Sequence, residues 1–188
     1  MTFHRRKDWT TAPAANARRF PKLGARGIAI HWNGPAVPKS ALKDPRNYLE
    51  GVRRYHVFSN RWSDFAYNLA VDQNGDIWQG RGLGWQSAAN GNTYLNGRYV
   101  AILAILGEGQ EPSPAMIRGL RKAILRSRLR HPLARKTVGH GDIRPGGTEC
   151  PGPDLRRRIH AGNLKPWRKP KPKPVCTKSC PVHCPKES

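Results

Sequence analysis

At 188 residues the chain is long enough for one domain of ordinary size with a buried core, plus some tail. Its formal charge of +22 is spread along the whole length and favours polyanionic partners. No apolar run approaches the length a bilayer crossing needs, which excludes a helical membrane span. The opening MTFHRRKDWTTAPAA is basic but lacks the apolar stretch of a secretory signal, so synthesis in a cytoplasm without signal-peptide export is expected.

The segment RGIAIHWN (26–33) alternates Ile28 and Ile30 and reads as a strand ending at His31. In KSALKDPRNYLEGVRRYHVFS, Asp44 suits a helix N-cap and Pro45 the first helical position. Tyr48, Leu49, Val52, Tyr55 and His56 then recur at helical spacing. AYNLAVDQNGDIWQGRG reads as two short strands around an Asn74-Gly75 turn, with Tyr67 in an alternating stretch. RYVAILAILG (98–107) is almost continuously apolar, as a central strand buried on both faces should be. EPSPAMIRGLRKAILRSRLRH opens with Ser113 as N-cap and Pro114 behind it; Ile117, Leu120, Ile124 and Leu125 form the expected inner stripe. A short strand at 136–139 follows. The order β-α-β-β-β-α-β predicts a single α/β domain over residues 1–162, with a mixed central β-sheet flanked by helices. From 163 to 188 the composition shifts to Lys-Pro alternation and three cysteines, which predicts an extended basic tail without a packed fold.

The stretch VGHGDIRPGGTECPG (138–152) sets His140 and Cys150 ten positions apart, with Pro145, Gly146 and Gly147 between them. That composition breaks a helix and describes a loop turning an imidazole and a thiol toward one point. Both are preferred zinc ligands. Cys150 stands apart from the tail cysteines, as suits a metal ligand or nucleophile better than half of a disulfide. For a third ligand His31 leads, because sites gather at strand ends. His56 falls on an inward helical stripe and suits a core histidine, His131 suits a helix C-terminus, and His4 and His160 lie near the domain's ends. In the tail, CTKSCPVHC places Cys176, Cys180, His183 and Cys184 within reach of one another, without the apolar surroundings that preform a metal cage.

Taken in order, IHWNG, WSDFAYNLAVDQNGDIWQGRG, NGRYVAILAILG and GHGDIRPGGTECPG resemble the type-2 N-acetylmuramoyl-L-alanine amidases. That family includes phage lysozymes of the amidase type and the peptidoglycan recognition proteins. The RxxW at Arg6–Trp9 is similar to its opening segment, and the resemblance covers roughly residues 6–160. It implies a zinc site of His31, His140 and Cys150, with Tyr67 beside the metal and Thr148 in the TxCPG motif as catalytic residues. Three protein ligands leave a tetrahedral zinc one open position, the mark of a catalytic site. Within that frame Trp32, Asn33, Asn68, Arg81 and Asn92 are candidates for lining a groove that holds glycan and stem peptide, each with a structural role as the alternative. Asp142 is a candidate for orienting a ligand histidine.

The implied function is hydrolysis of the amide between N-acetylmuramic acid and L-alanine in peptidoglycan, most like a phage endolysin in host lysis. Such an enzyme is made in the host cytoplasm and meets the wall after the membrane is permeabilised. A non-catalytic peptidoglycan-binding module is one alternative, disfavoured by the presence of Cys150; a bacterial wall-remodelling amidase is another. The tail's lysines are candidates for holding anionic wall polymers, an attraction that salt weakens. Nucleic acid is disfavoured as a partner, because no helix-turn-helix or RRM element accompanies the charge.

Overall fold

The computed structural model describes residues 1–14 and 17–166. In chain order its elements are β1 (Phe3–His4), β2 (Gly27–His31), α1 (Lys39–Lys43), α2 (Arg46–Arg54), β3 (Leu69–Val71), β4 (Ile77–Gln79), α3 (Thr93–Arg98), β5 (Tyr99–Ala104), α4 (Pro114–Arg130), β6 (Lys136–Gly139) and α5 (Pro153–His160). Among the described residues six strands form one sheet in the order β1-β4-β3-β5-β2-β6. It is mixed: β2 runs parallel to both β5 and β6, β3 is parallel to β5, and the β3–β4 hairpin is antiparallel. The chain is a single α/β domain of this kind, as its alternation of strand and helix patterns predicts.

Side-chain alternation divides the core in two. Ile28, Ile30, Leu69, Val71, Val100 and Ile102 point to one face, where they meet Met116, Leu120 and Ile124 of α4 and Leu155 of α5. Ala70, Trp78 and Leu103 point to the other, against Leu49 of α2, Trp9 and Phe65. His31 follows Ile30 and therefore leaves the sheet on the α2 face. The first residues are tied to this layer as well. Arg6 pairs with buried Asp64 at 2.8 Å, and the Trp9 indole N–H donates to the Gln79 carbonyl at 2.9 Å.

Several local expectations change in the folded chain. The helix behind Pro45 is preceded by the separate short turn of α1, and Asp44 Oδ1 accepts the Arg46 N–H at 3.1 Å. Beyond α2 the backbone widens into a π-helical turn at Tyr55–Ser59, which buries His56 but leaves Tyr55 60% exposed, so Tyr55 is not on the inward stripe. Tyr67 precedes β3 instead of lying within it. Leu125 is 43% exposed and faces outward; the inner stripe of α4 is Met116, Ile117, Leu120, Ala123 and Ile124. Ser113 does cap α4, its Oγ accepting the Met116 N–H at 2.9 Å. The fold continues through Leu164, which is buried in the core. The tail expectation, with Cys176, Cys180, His183 and Cys184, lies outside the described residues.

α4 crosses the β3–β4 hairpin closely at Gly119. A Cβ there would stand 2.5 Å from the Gly75 carbonyl oxygen and 2.7 Å from Val71 Cγ1. Helix propensity favours Gly119→Ala by about 1 kcal/mol, but overpacking against backbone costs about 1–3 kcal/mol. Urea unfolding should therefore show Gly119→Ala destabilised by about 1–2 kcal/mol; a more stable variant would mean that the helix is free to lift off the hairpin.

Candidate metal centre

Two parallel strands create the site. β2 and β6 are neighbours with Ile30 opposite Gly139, so the next residue of each chain segment, His31 and His140, emerges at the same sheet edge. Their rings lie 4.4 Å apart between centroids. Cys150 returns to this edge through the loop read from the sequence. The Gly141 N–H donates to the Cys150 carbonyl at 2.7 Å, and the Trp32 N–H approaches Cys150 Sγ at 3.4 Å. Arg156 Nη2 holds the Thr148 carbonyl at 2.6 Å from beneath. A Cβ on Gly141 would run into Arg156 and the Thr148 carbonyl, so glycine is the residue that lets the loop close. At its tip, Gly146 and Gly147 take φ of +78° and +70°, and no described atom stands within 4 Å of where their Cβ atoms would be.

The three side chains are buried, and one ligand atom from each lies within 4.8 Å of the others. Cys150 Sγ and His31 Nδ1 are 3.8 Å apart. Tetrahedral zinc bonds of roughly 2.0–2.3 Å set ligand separations of roughly 3.3–3.8 Å, so the cluster fits such an ion with little movement. His140 Nε2 is buried without a hydrogen-bond partner among the described residues, a ring nitrogen whose lone pair or proton is otherwise costly to leave unpaired. The other side of the His31 ring is fixed: Nε2 lies 3.0 Å from Asn90 Oδ1. Asn90 is wholly buried, and its amide nitrogen donates to Ser87 Oγ at 2.8 Å and the Tyr99 carbonyl at 3.0 Å. Those two acceptors orient the Asn90 amide with its oxygen toward His31. His31 Nε2 is then the protonated nitrogen, and Nδ1 presents a lone pair toward Cys150.

Burial, with His140 adding to it, drives the His31 pKa down to about 3 against the pull of Asn90. Burial and the Arg144 charge bring His140 down to about 4. Both imidazoles are thus neutral and ready to ligate at neutral pH. Burial pushes the Cys150 thiol up to about 11, opposed by the Trp32 N–H and by the charges of Arg156 and Arg144. Burial also raises the Tyr67 pKa, which keeps the phenol protonated as a donor.

The cluster opens on a groove of about 700 Å³. Trp32, Asn33, Tyr67, Asn92 and Thr148 line it with the three candidate ligands. Tyr67 sits edge-on to His31, with 5.3 Å between ring centroids, and Thr148 Oγ1 lies 3.4 Å from the Cys150 N–H. Asn92 lines the groove while its Oδ1 caps α3, accepting the Leu95 N–H at 2.9 Å. Asn68 and Arg81 are not groove residues. Asn68 is wholly buried, donating to the Gly82 and Trp85 carbonyls and accepting the Ala101 N–H. Arg81 is 8% exposed and its guanidinium is held by the Phe65, Asp64 and Gln86 carbonyls. Asn68 ties the start of β3 to β5 and to the loop after β4, and Arg81 ties that loop to the segment before β3. Asp142 accepts the Gly139 N–H at 2.8 Å and faces Arg156 and His160; it braces the loop instead of touching a ligand ring.

Residue-by-residue reading missed Asn90, whose only signal was a polar residue before glycine, indistinguishable from an ordinary turn. It also missed the groove side of His56. That histidine is buried and its Nδ1 accepts the Ala66 N–H at 3.2 Å, as a core histidine would, yet its ring stacks on Trp62 and faces the groove.

Residues 21–153 match the family described as Amidase_2, N-acetylmuramoyl-L-alanine amidase. The pig (Sus scrofa) N-acetylmuramoyl-L-alanine amidase is 26% identical over 156 residues, covering 81% of this chain and 26% of that protein. Peptidoglycan-recognition protein SC2 of Drosophila melanogaster is 26% identical over 113 residues, covering 59% of this chain and 60% of that protein. The chain spans about a quarter of the length of the mammalian relatives it matches. Its fold is that of Drosophila PGRP-LB, with a TM-score of 0.74 at 24% identity, covering 88% of this chain and 96% of that one. Human PGRP-IBETAC, solved in complex with glycosamyl muramyl pentapeptide, gives a TM-score of 0.70 at 21% identity, covering 84% and 93%.

Two outcomes follow from the geometry. Above about pH 5 the imidazoles lose no proton on metal binding, while the thiol is protonated up to about 11, so one proton leaves with each ion bound. Competition titrations should show zinc affinity rising about tenfold per pH unit between about pH 6 and pH 9; a flat profile would exclude Cys150 as a ligand. Asn90→Ala, with its fold verified by circular dichroism, should bind zinc about 10–100-fold more weakly. Unchanged affinity would mean that the Asn90 contact does not set the His31 ring.

Proposed function

Because the chain belongs to the N-acetylmuramoyl-L-alanine amidase family, we propose that it is a zinc hydrolase cleaving the amide bond between N-acetylmuramic acid and L-alanine in peptidoglycan. The observation that carries this reading is the convergence of His31, His140 and Cys150 at the floor of an open groove. His₂Cys is a donor set that suits zinc and leaves one position for water or substrate. Zinc bound there supplies a Lewis acid for the amide carbonyl and a water acidified to about pKa 7.

The chain's own residues do the rest. His31, held by Asn90, and His140 enter as neutral ligands, and Cys150 enters as the thiolate, which leaves the centre a net positive charge suited to developing oxyanion. Tyr67, kept protonated by burial, donates its hydroxyl hydrogen to the carbonyl oxygen as negative charge builds. Thr148, at the groove wall beside Cys150, offers a second hydroxyl to the same region. Trp32 and Asn33 line the glycan and stem-peptide groove.

In this reading the amidase catalytic domain, expected over residues 1–162, extends through the buried Leu164, and the basic residues that follow are available to anionic wall polymers. The finer role is a phage endolysin, made in the host cytoplasm and acting on the wall once the membrane is breached. Its support is the resemblance of the ordered sequence motifs to a family that includes phage amidases.

The test is mass spectrometry of purified peptidoglycan after digestion. New L-alanine amino termini should appear, vanish on chelation, return with zinc, and fail to appear with Cys150→Ala. Peptidoglycan that is bound but left intact by the zinc-loaded protein would replace the hydrolase with a recognition module.

A further inference from the structure

We propose that the outer face of α4, together with the cavity beside it, docks on a lipid bilayer bearing anionic phospholipid headgroups. α4 contains no acidic residue, and its solvent side carries Arg118, Lys122, Arg126 and Arg130. Among these cations lie two leucines, Leu125 at 43% and Leu129 at 75% exposure, four positions apart and therefore neighbours on one face. Next to Leu129 is a cavity of about 620 Å³ with apolar walls from Phe3, Leu69 and Leu83 and a rim of Arg5, Arg126 and Arg130. It shares no lining residue with the metal-site groove. Arg126 lies over the Phe3 ring at 4.0 Å, and none of the three rim arginines pairs with a carboxylate among the described residues.

Charge complementarity selects an anionic partner, and guanidinium forks match phosphate oxygens in pairs. The leucines select the bilayer over a soluble polyanion. Against a polyphosphate chain they stay in water and contribute nothing, whereas at a headgroup–acyl boundary arginines meet phosphates while leucines leave water. The same face therefore combines the two attractions that hold an amphipathic helix at a membrane surface.

The full chain tests this by flotation with vesicles of mixed phosphatidylglycerol and phosphatidylcholine, and of phosphatidylcholine alone, at physiological salt. Wild type should float with the mixed vesicles and not with phosphatidylcholine. The variant Leu125→Gln/Leu129→Gln keeps the net charge of +22. Its partitioning should fall about tenfold, with thermal unfolding and binding to soluble poly(glycerol phosphate) unchanged. Arg126→Glu/Arg130→Glu should abolish flotation. Equal flotation of the glutamine variant and wild type would reduce the binding to charge alone and overturn the proposal. So would flotation with neutral vesicles, or binding to the soluble polyphosphate without any to vesicles.

Discussion

The site depends on the parallel register between β2 and β6. All five residues of β2 are buried, flanked by β5 on one side and β6 on the other, so the strand has no freedom to shift along either neighbour. Because the register pairs Ile30 with Gly139, both histidines arrive at one edge of the sheet, about one strand spacing apart. A slip of one residue would turn the β2 histidine to the α4 face, into a layer of aliphatic side chains. The apolar packing that fixes the sheet and the geometry that gathers the candidate ligands are thus one and the same constraint.

Around that edge, burial works in two directions. It strips the imidazoles of their protons, which prepares them as ligands. It also discourages the thiol from ionising, which makes Cys150 a poor nucleophile by itself and leaves a bound cation as its natural partner. Arg144 and Arg156 lean the same way as a cation would, favouring thiolate, but more weakly than desolvation opposes it. The chemistry of the site therefore belongs to the cluster and not to any single group within it.

Much of this was legible in the sequence. Ile28 and Ile30 alternating up to His31, the Asn74-Gly75 turn, the unbroken apolar run of β5 and the Ser113-Pro114 helix start each carry a local physical signal. The candidate-ligand trio required the motifs to be read together, since His31 lies more than a hundred positions from His140 and Cys150. What stayed hidden depends on tertiary contact. β1 has only two residues and exists because β4 offers it an edge. Leu125 fits the apolar stripe by spacing, yet in the fold it stands 43% exposed on the solvent side of α4. Asn68 and Arg81 look like groove residues beside Tyr67, and only the fold reveals that their polar groups serve neighbouring backbone. Asn90 reads as a turn residue because nothing local says that its amide faces inward.

The glycine pair at the tip of the Cys150 loop stands outside this tight arrangement. Gly141 is wedged against Arg156, and Gly152 against the Trp32 ring, so both ends of the loop are clamped. A Cβ on Gly146 or Gly147 would meet nothing within 4 Å. A side chain at either position would therefore meet open space, at the cost of a left-handed backbone, while the clamped ends keep His140 and Cys150 where they are. The loop thus joins a sterically open tip to two clamped ends.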